Sequence, residues 1–159
     1  MFVLTKNTAM KLKIFLLTMV VFFTAACKSD DDGCTSQTIT TTSLEAEYGC
    51  VNTKNQMDIA LNDDFVVITT QSGFDSQVTG TCQPEIDFTM FDLVIGKKAL
   101  TSGNTSITYE LVKNCALEEL TLTVTFNQNS TTEAPNLTYH RLIPKLTAGE
   151  TISVDIQID

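Results

Sequence analysis

The chain has 159 residues, with 10 Lys and Arg against 19 Asp and Glu, and its formal net charge is −9. A negative field of that size repels nucleic acid and anionic headgroups, so neither is expected as a ligand. No internal repeat and no heptad pattern runs through it, which leaves a single globular domain as the simplest organisation.

The first feature in chain order is Lys11–Asp32, KLKIFLLTMVVFFTAACKSDDD. Lys11 and Lys13 form a positive n-region, Ile14–Phe23 is apolar apart from Thr18, and Thr24-Ala25-Ala26 supplies the small residues of a cleavage site. The apolar stretch Ile14–Ala26 has 13 residues, whereas a helix needs about 20 to span a bilayer core. Residues 1–26 therefore read as a signal peptide, with Met10 the more natural start. Thr24-Ala25-Ala26-Cys27 resembles the lipobox of bacterial lipoproteins, departing from it at Thr24, where leucine is usual. Cysteine parity points the same way, because five cysteines leave one over in an exported chain and lipidation of Cys27 uses it. Multiple acyl chains make such an anchor durable, each buried CH2 contributing about 0.8 kcal/mol. Lys28, Ser29, Asp30, Asp31 and Asp32 resemble the export signal that sends Bacteroidota lipoproteins to the outer face of the outer membrane. The expectation is a surface-exposed lipoprotein with residues 27–36 as an acidic tether and residues 37–159 as its domain.

Removing the first 27 residues takes away three of the ten Lys and Arg and none of the acids, so the remaining 132 residues carry a formal charge of −12. They hold 22 threonines, which favour strands because the branched side chain fits a pleated surface.

Within the domain, Thr38–Leu44 reads as a first strand, and Glu45–Gln56 as a loop pinned by Cys50. Met57–Leu61 alternates apolar and polar residues and, with Phe65–Thr70 beyond the turn cluster Asn62-Asp63-Asp64, predicts a hairpin. Gln71–Val78 suits one short helical turn, and Val78–Pro84 a loop holding Cys82. Asp87–Gly96 is apolar on both faces, as in a central strand. Lys97–Thr105 is a turn with Gly103-Asn104 at its tip. Ser106–Asn114 alternates Ile107, Tyr109 and Leu111 with polar residues, and Asn114–Glu118 turns the chain at Cys115. Leu120–Phe126 sends four apolar residues one way and Thr121, Thr123 and Thr125 toward water. After the polar loop Asn127–Pro135, strands at Leu137–Ile143 and Thr151–Asp159 complete the set. Seven or eight short strands predict an all-β domain, an antiparallel β-sandwich or open barrel-like sandwich stabilised by disulfides.

Cys34, Cys50, Cys82 and Cys115 remain for the exported domain, and four cysteines allow three pairings. Their spacing holds no paired C-x-x-C, so no zinc site, and no other metal or cofactor, is expected.

Asp87–Thr151 resembles the C-terminal domain of the PrcB family, named for a subunit that stabilises a bacterial surface protease complex. Asp87-Phe88 opens the core strand ending in Gly96, and Thr101-Ser102-Gly103-Asn104 lies where that family carries a Thr-Gly-Gly-Tyr-like turn. Ser102 replaces a glycine and Asn104 the aromatic. Thr70-Gln71 followed by Phe74 resembles the segment that precedes this domain in related lipoproteins. The resemblance implies a protein-binding accessory domain without catalysis. Together with nearest-neighbour spacing, it also implies the pairs Cys34–Cys50 and Cys82–Cys115.

No G-x-S-x-G, P-loop or H-E-x-x-H motif occurs. His140 is the only histidine and lies inside a predicted strand, where a packed or sheet-surface role is expected. Lys97 and Lys98, flanking the Thr101, Ser102, Gly103 and Asn104 turn, are the candidate partner-binding residues, since long polar loops on a rigid β scaffold are where binding usually resides. The expected function is a non-catalytic, protein-binding lipoprotein. The alternatives are a carbohydrate-binding accessory module, disfavoured by the absence of tryptophan, and a small hydrolase using His140 and two carboxylates.

Overall fold

The computed structural model describes residues 35–61, 64–115 and 119–159. Cys27, the Lys28–Asp32 run and Cys34 lie outside the described residues, as do Asn62, Asp63 and residues 116–118 of two expected turns. The strands are β1 (Gln37–Ile39), β2 (Met57–Ile59), β3 (Phe65–Ile68), β4 (Val78–Gly80), β5 (Phe91–Ala99), β6 (Asn104–Asn114), β7 (Glu119–Gln128), β8 (Asn136–Pro144) and β9 (Thr151–Ile158). Three short helices join them: α1 (Leu44–Tyr48), α2 (Thr53–Gln56) and α3 (Gln71–Gln77). One sheet has the order β1-β6-β7-β9, a second β3-β5-β8, and β2 pairs with β4 as a two-stranded ribbon.

The all-β sandwich expected from the strand pattern is found. β5 takes the central place its two apolar faces predict, and those faces feed two cores. Leu93 and Ile95 point into a core with Leu44, Met57, Ile59, Ile68, Phe74 and Val78. Val94 points the other way, with Tyr139 and Ile143 of β8, onto Leu111, Leu122, Val124 and Phe126 of the larger sheet. The three-stranded sheet is thus a shared middle layer, covered on one face by the larger sheet and on the other by helices and ribbon. Gly96 lets the Tyr139 ring lie across β5, since a Cβ there would collide with the phenol, and that ring meets Phe126 edge-on at 6.0 Å.

Several local expectations change: the loop expected over Glu45–Gln56 holds α1 and α2, and the one over Val78–Pro84 begins with β4. The sandwich is not wholly antiparallel: β9 runs parallel to β7 in continuous register from Glu119↔Thr151 to Phe126↔Ile158. The hairpin of 57–61 with 65–70 does not form, because β2 pairs with β4 and β3 with β5. Asp87–Met90 is a turn rather than the opening of the core strand. The Asp87 side chain takes the Thr89 N–H at 3.0 Å, and its carbonyl takes those of Met90 and Phe91, so the strand starts at Phe91. Finally, Thr121, Thr123 and Thr125 are half-buried rather than exposed, because neighbouring strands flank them on both sides.

The disulfide joins Cys50 to Cys82, with Cα atoms 5.7 Å apart, which overturns both Cys34–Cys50 and Cys82–Cys115. Sequence proximity misleads here because the fold brings Cys50 and Cys82 into one core, although 32 residues separate them in sequence. Cys115 is also disulfide-bonded. Non-reducing peptide mapping is expected to recover Cys50 linked to Cys82; a Cys34–Cys50 peptide would contradict it. Opening Cys50–Cys82, which closes a separation of 32 residues, is expected to cost about 4 kcal/mol in the chain-entropy model.

Candidate functional site

A cleft of about 350 Å³ opens where α1 and α2 meet the edges of both sheets, lined by Ser43, Glu45, Asn52, Thr53, Lys54, Ser106, Ile107, Tyr109, Thr138, His140 and Arg141. Local sequence chemistry builds its helical wall. Ser43 caps α1 by accepting the Ala46 N–H at 3.1 Å, and Gly49, at φ +70°, ends it by donating to Glu45 and Leu44 carbonyls. Asn52, at φ +50°, starts α2 and directs Thr53 inward. The opposing wall is the part of β6 that β1 leaves uncovered, since β1 reaches only Leu111–Lys113.

At the cleft floor, His140 is 3% exposed and Thr53 2%. The Thr53 hydroxyl donates to Glu45 Oε1, so its oxygen is left to accept from His140 Nε2, 2.6 Å away. Nε2 is thereby assigned as the ring's donor nitrogen. Glu45 Oε2 lies 3.6 Å from the same Nε2, too long for a hydrogen bond, so the direct link runs through the threonine. His140 Nδ1 is buried with no hydrogen-bond partner among the described residues. Burial works against the Glu45 carboxylate, but the contacts from His140 and Thr53 outweigh it and hold the group well below its ordinary value of 4.5.

Tyr109 Oη accepts the His140 backbone N–H at 3.3 Å, and burial pushes its phenol above the usual range. The Arg141 guanidinium sits 5.1 Å from the centre of the Tyr109 ring. Its Nε donates to Thr41 Oγ1 at 2.8 Å and its Nη2 to the Thr41 carbonyl at 3.4 Å. Lys54 Nζ reaches Asn104 Oδ1 at 3.4 Å and the Thr105 carbonyl at 3.3 Å.

This arrangement differs from a hydroxyl–histidine–carboxylate relay. There the hydroxyl and the carboxylate sit on opposite ring nitrogens, so the carboxylate orients the base while the other nitrogen takes the proton. Here both sit at Nε2 and the hydroxyl is buried. Among its described lining residues the cleft holds His140, as the hydrolase alternative required, but one carboxylate instead of two. Among the described residues no group of three or more His, Cys, Asp or Glu is placed to hold a metal ion, and no helix is long and apolar enough to cross a membrane.

The loop residues singled out in the sequence lie elsewhere. Lys97 is bonded to Asp58 at 2.7 Å and its side chain is 16% exposed, so it clamps β5 to β2. Lys98 is half-buried on β5. Thr101–Asn104 is fastened to the 127–135 loop: Gly103 exchanges backbone hydrogen bonds with Thr131 and Asn129, and a Cβ at Gly103 would strike both of their side chains. Asn104 alone reaches the cleft, through Lys54. Glu45, Thr53, Lys54, Tyr109 and Arg141 carried no motif. The one sequence signal near them was the Ser43 and Gly49 cap pair bracketing α1. Comparison with protein-family models, with curated proteins and with solved structures finds no match to this chain.

Proposed function

We propose that this chain is a lipid-anchored, non-catalytic binding module whose cleft beside His140 receives part of a protein partner. The observation that carries this reading is the closed Glu45–Thr53–His140 chain. Its hydroxyl is buried and already donates to the carboxylate, so Thr53 is no free nucleophile and the buried His140 is no base aimed at open space. What faces the cleft opening is a set of hydrogen-bond donors on rigid elements, the usual make-up of a recognition site. The PrcB-like pattern of Asp87–Thr151 and the lipobox-like Cys27 support the same reading, as a partner-binding accessory held at the cell surface. The glycan-binding alternative draws less support, because Tyr139 is core, while Tyr48 and Tyr109 are half-buried and hydrogen-bonded, so no tyrosine forms an exposed platform.

Two measurements test it. Cys27→Ser is expected to move the protein from the membrane fraction to the soluble exported fraction while leaving its unfolding midpoint unchanged; retention in the membrane would contradict lipid anchoring. Affinity capture with the Cys27→Ser chain from its own envelope extract is expected to recover a discrete protein that a cleft-blocking Ser106→Trp variant loses. Equal capture by both, or hydrolytic activity abolished by His140→Ala, would overturn the reading.

A further inference from the structure

Three cations among the described residues are neutralised by a carboxylate. Lys97 pairs with Asp58 at 2.7 Å, Lys113 with Glu150, and Lys145 with Asp92 at 2.7 Å. Lys54 and Arg141 differ: among the described residues they bond only to neutral oxygens of Asn104, Thr105 and Thr41, and both line the cleft. In a domain this rich in acids, two cations facing one space without an acidic partner is a local reversal of sign. Glu45, the one carboxylate among the described lining residues, keeps its charge but bonds to Thr53 and faces His140 rather than either cation.

From this we infer that the cleft binds a carboxylate of the partner protein, an acidic side chain or a chain terminus, between Arg141 and Lys54. The inference rests on the reading of the cleft as a recognition site. Donor capacity fits. Arg141 uses two of its five N–H groups and Lys54 two of its three. The hydroxyls of Ser43 and Ser106 accept from Ala46 and Asn127, which leaves their own protons to donate. The Lys54 bonds, at 3.3 and 3.4 Å, are long and easily exchanged for a charged acceptor. The cleft's volume suits one side chain or terminus, and the Tyr109 ring that a sugar would stack on already carries Arg141. A peptide carboxylate therefore fits better than an acidic glycan.

The test is an amide NMR titration of the isotope-labelled Cys27→Ser chain with three probes: acetyl-Gly-Glu-Gly-amide, its glutamine analogue, and glucuronate. The glutamate peptide is expected to shift the amides of Ser43, Thr53, Lys54, His140 and Arg141. Its affinity should fall about 10-fold with the glutamine analogue and about as much in Lys54→Gln, since each removes a charge-assisted bond. Arg141→Gln should abolish the shifts, and the dispersed amide spectrum of each variant reports that it is folded. Equal binding of the glutamine peptide, or full affinity in Lys54→Gln, would overturn the carboxylate inference while leaving the cleft as the site. Stronger binding of glucuronate would overturn the peptide assignment in favour of a glycan. Shifts confined to other residues, or none, would overturn both the inference and the reading beneath it.

Discussion

Replacing Asp92 with alanine is expected to destabilise the domain by about 3 kcal/mol, a large part of the 5–15 kcal/mol typical of a domain. Asp92 is 1% exposed, and it is the second residue of β5. One carboxylate oxygen takes the Lys145 ammonium at 2.7 Å and the other the Leu146 backbone N–H at 2.9 Å. Lys145 also reaches the Thr69 carbonyl at 3.4 Å. The carboxylate thus ties the start of the middle sheet to the crossover that carries the chain from β8 to β9. Lys145 is 41% exposed and can turn to water when its partner is lost, but the Leu146 N–H loses its acceptor, which costs about 1–3 kcal/mol if it stays buried. Asp92→Asn keeps an acceptor and should lose about half as much. Urea unfolding, with an unchanged slope, measures both. A loss under about 1 kcal/mol in Asp92→Ala would show that the crossover is held by other contacts.

The second large effect is expected at Thr53. Thr53→Val preserves the branched shape and removes the hydroxyl that bridges Glu45 and His140. Both groups then lose a partner in a buried site, and the expected cost is about 2 kcal/mol. Thr53→Ser restores the bridge and should recover most of it. The same cluster predicts a pH dependence. A carboxyl held below its ordinary 4.5 contributes stability that is fully present above 4.5 and is lost as pH falls through the lowered value. Because the Glu45 side chain is 38% exposed, solvent screens part of that contribution. Glu150, held at about 2 by Lys113, acts in the same direction. Wild type should therefore lose stability on acidification from pH 5 to 3 more steeply than Glu45→Gln, which retains only the share of Glu150 and other acids. Parallel profiles would contradict the role given to Glu45.

Period-two alternation placed β5 to β9 within a few residues, because each of those strands buries an apolar face whatever its neighbour is. Alternation says nothing about direction, however, so Thr151–Ile158 reads the same whether it runs with or against β7. Nor does it name partners. Met57–Ile59 and Phe65–Ile68 look like a hairpin, yet their mates are Val78–Gly80 and Gly96–Leu93, since burial in the core outweighs chain proximity. Helices α1 and α2 are too short to show a helical period, and only their caps announce them.

The site was less legible still. His140 was visible as an isolated histidine in a strand, but Thr53 is 87 residues away from it in sequence, and only the stacking of α2 on β8 brings them together. Lys97 belongs to a basic pair in the sequence, but its charge is matched by Asp58. Lys54 and Arg141, unremarkable in the sequence, matter because of what they do not contact.

The most direct measurement is photo-crosslinking on intact cells, with a benzophenone side chain placed in turn at Ser106, on the cleft rim, and at Thr101, on the fastened turn. A discrete protein adduct from position 106 and none from 101 is the result predicted for a cleft that receives a partner. An adduct from 101 alone, or none from either position, would contradict it.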